Sequence, residues 1–363
     1  MVTYKLLTPG PLTTTDTVKR EMLTDHCTWD EDYKKITRDI CAQLIELAHA
    51  SIEQYTAVLM QGSGTFGVES VISSVVPADG RFAVLMNGAY GRRIAQIAAY
   101  HGIDTTAVQI PYDRCPTAGE AERIITENQI THLAMVHCET TTGILNDIKA
   151  IGEVCARHGV TYIVDAMSSF GGIDISLPEN HIDFIVSSAN KCIQGVPGFS
   201  FVIANREKLM ECKGRARSLS LDLYDQWETM EADGKWRFTS PTHVVLAFAK
   251  ALEELKAEGG IPARNHRYRE NNRILIQNMC QMGFLPYIKP ELQSPVITTF
   301  ACPETEEFSF EDMYEFIKAR GYAIYPGKLD GMNTFRIGNI GEIYPEDMKK
   351  LCGIIADYQK RGR

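Results

Sequence analysis

Short apolar, often β-branched runs alternate with helical stretches through most of the chain, and each run ends in a polar or glycine-rich cluster. This alternation is what most constrains the fold. Strands are expected near 56–60, 82–86, 105–109, 132–137, 161–165, 183–187 and 199–204, and helices near 68–76, 90–102, 117–127, 147–158 and 241–258. A strand that must return through a helix pairs parallel with its predecessor, so the pattern implies α/β architecture with a doubly wound, mostly parallel sheet. After Glu258-Gly-Gly-Ile-Pro262 the rhythm changes. A helix near 263–282, strands near 296–301, 322–325 and 334–338, and helices near 309–320 and 345–360 form a smaller α+β unit. Thr8-Pro9-Gly10-Pro11 is too rigid for a helix and is expected to run extended across the site or a partner. The expected organisation is an arm over 1–14, a large domain over 15–260 and a small C-terminal domain over 261–363.

Open parallel sheets bind ligands at the carboxyl ends of their strands, and the polar clusters stand there. Gln61-Gly-Ser63-Gly64-Thr65-Phe-Gly67 follows one strand and opens a helix, so its N–H groups and hydroxyls form a phosphate cradle. Read as Gly62-x-Gly64-x-x-Gly67 it also matches a dinucleotide fingerprint. The acid expected at the end of the next strand is missing, because Asn87-Gly88 stands there; a plain tight turn is the third reading.

Asp165 is the one acid between Thr161 and Ile173 and closes a strand, where an unpaired buried carboxylate is costly. A structural aspartate is the bland alternative. Lys191 lies one strand further on, in the glycine-rich stretch Asn190-Lys191-Cys-Ile-Gln-Gly-Val-Pro-Gly198, rather than on a solvated helix face. A carboxylate that keeps a pyridine nitrogen protonated and an amine that forms a Schiff base are the protein groups pyridoxal 5′-phosphate requires. The pair therefore points to that cofactor, with a surface lysine as the alternative.

Other clusters at this edge have two readings each. Tyr90, in Asn87-Gly-Ala-Tyr-Gly-Arg-Arg93, is placed to stack on a flat ring or to start a helix from the core. In His137-Cys-Glu-Thr140-Thr-Thr-Gly143, Thr140 is the choice for reaching a pyridine 3′-oxygen; a hydrogen-bonded turn is the alternative. Lys235-Trp-Arg-Phe-Thr239-Ser-Pro-Thr-His243 either caps the following helix or reaches a neighbouring subunit's phosphate site. Arg336 lies inside an apolar strand, where it grips an anion or forms a salt bridge.

The chain has 363 residues, 44% of them hydrophobic, enough for a large core. A net charge of −9 without a Lys/Arg run argues against nucleic acid or an anionic membrane as partner and favours small-molecule chemistry. The ten cysteines show neither CxxC nor Cys/His ligand spacing, so no metal and no disulfide framework is expected. No apolar leader or membrane-length segment stands out, and a reducing cytoplasmic setting is expected.

Gly62-Ser-Gly-Thr, Asn87-Gly-Ala-Tyr-Gly, Tyr162-Ile-Val-Asp-Ala-Met-Ser-Ser-Phe-Gly-Gly, Ser187-Ser-Ala-Asn-Lys-Cys-Ile-Gln-Gly-Val-Pro-Gly, Arg237-Phe-Thr-Ser-Pro-Thr-His and Phe335-Arg-Ile-Gly-Asn-Ile-Gly together resemble the class V aminotransferases, of pyridoxal-phosphate fold type I. The resemblance runs from Leu7 to the last helix. It implies a homodimer with sites at the subunit interface. Lys191 would carry the cofactor covalently, Asp165 would meet the pyridine nitrogen, and Tyr90 would stack on the ring. Ser63, Gly64 and Thr65 would hold the phosphate with Thr239 of the other subunit. Thr140 and Asn190 would complete the cofactor site, while Arg336 and Gly10 would contact substrate. The implied reaction is amino transfer from 2-aminoethylphosphonate to pyruvate, with alanine–glyoxylate or serine–pyruvate transamination as the alternative. Relatives that use alanine and glyoxylate carry tryptophan where Tyr90 stands, which leaves ring stacking intact. A cysteine desulfurase fits less well, since Cys302 is followed by proline near a strand end. An NAD-dependent oxidoreductase rests on the glycine pattern alone, and a non-enzymatic binding module leaves Lys191 without a purpose.

Overall fold

The structure, a computed structural model, describes residues 4–304, 308–327 and 329–361. The ends of the expected arm and of the expected small domain, 1–3 and 362–363, lie outside the described residues. Seven strands form the central sheet, in the order Tyr55–Gln61, Phe199–Asn205, Phe184–Ser188, Thr161–Asp165, His132–Val136, Phe82–Met86 and Thr105–Gln109. All run parallel except Phe199–Asn205, which lies antiparallel to both neighbours. The connection from Ser188 back to Phe199 is too short for a crossover helix, so that strand must return in the opposite sense. Most strands are buried along their whole length, as expected of a sheet covered by helices on both faces.

The helix after the first glycine cluster spans Gly64–Val75, four residues earlier than the apolar periodicity suggests. Ser63 stands at its N-cap in extended conformation, and Gly64 and Thr65 form its first turn. Their N–H groups have no partner one turn back within the helix, so the cradle is the helix end itself. The helix Glu31–Leu47 has no counterpart in the expected elements. It buries Lys34 and Thr37 beside Tyr33, Ile40 and Leu44, which breaks the apolar stripe that would reveal it. The Lys34 ammonium escapes to Glu31 at 3.1 Å and Asp233 at 3.2 Å while its stem stays packed.

The C-terminal part has a core of its own around Ile274, Leu275, Phe284, Phe300, Met313, Phe335 and Leu351, which Leu7 of the arm joins. Its three-stranded antiparallel sheet places Thr334–Gly338 between Ile297–Ala301 and Tyr325–Pro326. The helix Gly260–Gln281 connects it to the larger part and begins three residues earlier than expected. Pro262 is tolerated there because a first-turn residue has no N–H bond to lose. Lys5–Leu6 pairs parallel with Tyr322–Ala323, and the Gly338 and Glu342 N–H groups donate to Leu7 O at 2.9 Å and Thr13 O at 2.8 Å. The arm is thereby laced onto this unit on its way to the carboxyl edge of the sheet.

Candidate active site

A cavity of about 200 Å³ opens at that carboxyl edge. Its wall includes Ser63, Gly64 and Thr65 from the first helix end, Tyr90 and Arg93 from the helix Ala89–Tyr100, Asp165 and Met167 at the end of the strand Thr161–Asp165, and Ser188, Asn190 and Lys191 at the end of the strand Phe184–Ser188. Residues from four separate strand ends meet here because the parallel strands present their carboxyl ends together.

Lys191 Nζ donates to the backbone carbonyl of Pro9 at 2.7 Å. No carboxylate stands within ion-pair distance of it among the described residues, and burial pushes its pKa below the usual lysine value. Asp165 is buried, and one carboxylate oxygen accepts the Met167 N–H at 2.9 Å. Burial raises its carboxyl to about 6. A cation placed against the free side of this carboxylate would reverse that shift. An amine whose pKa burial lowers and an acid short of a cation thus line one cavity, opposite a helix end with open N–H groups. A phosphorylated pyridine aldehyde fits this wall: its phosphate suits Ser63–Thr65, its ring nitrogen suits Asp165 and its aldehyde carbon suits Lys191.

Tyr90 sits on the same wall with the Arg93 guanidinium over its ring, 5.1 Å from the centroid. Arg93 also donates to Thr65 Oγ1 at 3.3 Å, which brings a cation beside the phosphate cradle. Glu139 holds this helix in place. It is fully buried and accepts from the N–H groups of Tyr90 (3.1 Å), Gly91 (3.2 Å) and Thr141 (3.0 Å), and from the Thr141 hydroxyl (2.6 Å). Burial pushes its pKa up and these four donors oppose the shift, so the carboxylate serves as cap of the helix that carries Tyr90. Below it the amides of Asn87 and Asn146 bond each other reciprocally at 2.7 and 3.1 Å, tying two strand-end loops together. His137 Nδ1 lies 2.9 Å from Ser169 Oγ, and burial lowers its pKa to about 4, which keeps the ring neutral.

Arg336 is fully buried in the strand Thr334–Gly338. Nε donates to Pro326 O at 2.9 Å and Nη1 to Thr140 O at 3.0 Å, while Nη2 is buried without a hydrogen-bond partner. It forms no ion pair among the described residues, and burial lowers its pKa; Tyr90 is the foremost of the groups opposing that shift. A buried guanidinium with no counterion and an unfilled arm is suited to a carboxylate or phosphonate.

Of the residues expected from sequence, Ser63, Gly64, Thr65, Tyr90, Asp165, Asn190 and Lys191 converge on the cavity wall. Gly10 packs on the Lys191 side chain. Thr140 lies off the wall, where its carbonyl holds Arg336. Thr239 also lies off the wall and is exposed, in the loop before the helix Thr242–Glu258. Three contributors escaped the sequence reading: Arg93, Glu139 and the Pro9 carbonyl. An acid inside the otherwise uncharged cluster His137–Gly143 was a usable sign for Glu139, since a carboxylate in a buried turn needs donors. The backbone carbonyl of Pro9 leaves no such mark.

The chain is 58% identical over 359 residues to the 2-aminoethylphosphonate–pyruvate transaminase of Lysinibacillus sphaericus, covering 99% of this chain and 98% of that one. It is 55% identical over 355 residues to the protein of the same name from Bacillus cereus, with 97% of each covered. Among solved structures, the alanine–glyoxylate aminotransferase of Nostoc sp. superposes with a TM-score of 0.92 at 20% identity, over 99% of this chain and 96% of that one. The pyridoxamine–pyruvate aminotransferase of Mesorhizobium loti gives 0.91 at 21% identity, over 100% and 93%. These last two share the fold. The sequence profile of the class V aminotransferases matches residues 22–335, and the chain belongs to that family.

Proposed function

We propose that the chain transfers the amino group of 2-aminoethylphosphonate to pyruvate, releasing phosphonoacetaldehyde and L-alanine, with pyridoxal 5′-phosphate as cofactor. The observation that carries the reaction class is the meeting of Lys191 and Asp165 on one cavity wall. The substrate follows from the full-length relatives of that name, and the buried Arg336 without a counterion supports an anionic substrate.

When bound, the cofactor supplies a cationic ring that takes up the electrons released as the substrate carbon loses its proton. The protein does the rest. Lys191, whose buried amine has its pKa lowered, would hold the cofactor when it binds and would yield that place to the substrate's nitrogen. Nζ would then take the proton from the carbon that bears the donor's nitrogen and carry it as an ammonium. In the second half it returns a proton to the carbon that becomes Cα of alanine. The Pro9 carbonyl fixes the rotamer from which Nζ does this. Asp165 keeps the pyridine nitrogen charged, and Ser63, Gly64 and Thr65 hold the phosphate at the helix end. Arg336 grips the phosphonate of the donor and then the carboxylate of pyruvate, with the first product leaving before the second substrate enters.

The cofactor site is completed in a homodimer, where Thr239 of one subunit reaches the phosphate of the other. Its exposed position supports this, as do Phe66 and Phe238, large apolar side chains left exposed near the cradle and in the same loop. A cytoplasmic setting is supported by ten cysteines that are all free. No helix among the described residues is long and apolar enough to cross a membrane.

The test is alanine formation from pyruvate with 2-aminoethylphosphonate as sole amino donor, beside serine and glyoxylate-linked assays. A faster rate with serine–pyruvate or alanine–glyoxylate would overturn the substrate assignment and leave the reaction class.

A further inference from the structure

Lys191 and Arg336 stand on different parts of the molecule, one on the central sheet and the other on the small three-stranded sheet. A transaminase needs them at a fixed separation, because one moves the proton at the reacting carbon and the other holds the substrate's anionic end. One carboxylate connects the two loops concerned. Glu258, the last residue of the helix Thr242–Glu258, accepts from Arg264 Nε at 2.8 Å and Arg267 Nε at 2.7 Å. Arg264 is almost fully buried, and its Nη1 donates to the carbonyls of Cys192 (2.9 Å) and Ile193 (3.1 Å), the two residues after Lys191. Arg267 Nη1 donates to the carbonyls of Gly341 (2.8 Å) and Ile343 (2.9 Å), in the loop that follows the strand of Arg336. Gln194 crosses the same gap, donating to Gly341 O at 3.1 Å.

We infer that Glu258 is a positioning residue for transamination: by orienting Arg264 and Arg267 together, it fixes the Lys191 loop against the loop behind Arg336. This rests on the reading that Lys191 holds the cofactor and Arg336 the substrate anion. Two arginines one turn apart repel each other and would splay without the shared acceptor. Each arginine turns Nε and Nη2 to Glu258 and Nη1 to the loop carbonyls, so loss of the carboxylate frees both to rotate. The groups expected to hold the cofactor's phosphate and ring, Ser63 to Thr65, Tyr90 and Asp165, make none of these contacts. The arrangement therefore governs the distance from Lys191 to Arg336 while leaving the phosphate and ring contacts of the cofactor alone.

The test uses the cofactor-loaded enzyme and two amine-free anions, ethylphosphonate and propionate, titrated against wild type, Glu258→Gln and Arg267→Lys. Both variants are expected to weaken both anions by about tenfold and to lower kcat/KM by roughly 10- to 100-fold. Cofactor affinity is expected to stay within about twofold, a split that loss of general stability would not give. The double variant should be little worse than either single one, since both break the same connection. Unchanged anion affinity in both variants, or anion and cofactor affinities falling in parallel, overturns the inference. The ratio of ethylphosphonate to propionate binding in wild type bears separately on the proposed substrate, so the two readings fail independently. Arg267→Lys serves if Glu258→Gln does not fold.

Discussion

Gly10 lies so close to Lys191 that a methyl group on it would stand 2.7 Å from the lysine nitrogen and 2.8 Å from Cδ. Its φ of +115° is also one that side-chain-bearing residues rarely adopt. The arm thus packs on the amine twice, through this glycine and through the Pro9 carbonyl. Gly10→Ala should displace Nζ and lower kcat/KM by roughly 100-fold, the scale expected for a misplacement of about 1 Å. Steady-state kinetics with matched thermal unfolding would check this, since a loss of stability alone would leave the ratio near that of wild type.

Arg336→Gln removes a buried charge that has no counterion among the described residues. Each charge-assisted bond lost to the substrate anion is worth about 1.5–3 kcal/mol, so KM for donor and pyruvate should rise by roughly 10- to 100-fold. Cofactor affinity, measured by fluorescence titration, should hold. Unchanged substrate constants would remove Arg336 from this role.

Asp165 gives a pH dependence of definite sign. In the cofactor-free protein its carboxyl is raised from 3.8 to about 6 by burial, so the folded state favours the protonated form. The stability this contributes is fully present below the unfolded value and is lost as pH rises through about 6. Asp165→Asn escapes the loss. Cofactor-free Asp165→Asn should match wild type below about pH 4 and exceed it by up to about 3 kcal/mol above pH 6, at 1.36 kcal/mol per pH unit. Denaturant unfolding at a series of pH values measures the difference. A constant gap across this range would contradict the assignment.

Glu139→Gln leaves a neutral amide, with its own NH₂ donors, facing N–H groups and a hydroxyl that now bond a carboxylate. The expected cost is about 1–3 kcal/mol of stability. Because Tyr90 loses the acceptor of its own N–H, cofactor affinity should fall along with Tm. Calorimetry and cofactor titration on the same samples would show both changes or neither.

The edge that carries the candidate site was legible because a parallel sheet converts strand order into geometry. Once 82–86, 132–137, 161–165 and 183–187 read as strands, their polar ends had to face one way, and Asp165 and Lys191 had to be neighbours. Helix Glu31–Leu47 escaped because its buried Lys34 and Thr37 look like surface residues in the sequence. The antiparallel sense of Phe199–Asn205 depends on a short connection rather than on periodicity. Glu139, Arg93 and the Pro9 carbonyl act through contacts between distant segments, and no local pattern encodes which loop a buried acid will cap. For Arg336 the sequence showed an arginine in an apolar strand but not whether an acid faced it. The structure places backbone carbonyls on two of its arms and no ion-paired acid on it among the described residues.

The central claim is that Lys191 is the residue to which pyridoxal phosphate attaches. Borohydride reduction of the cofactor-loaded enzyme, followed by peptide mass mapping, tests it most directly. The expected result is a single cofactor-sized mass increment on the peptide containing Lys191, absent from Lys191→Ala. An increment on another lysine, or one that survives in Lys191→Ala, would contradict the account.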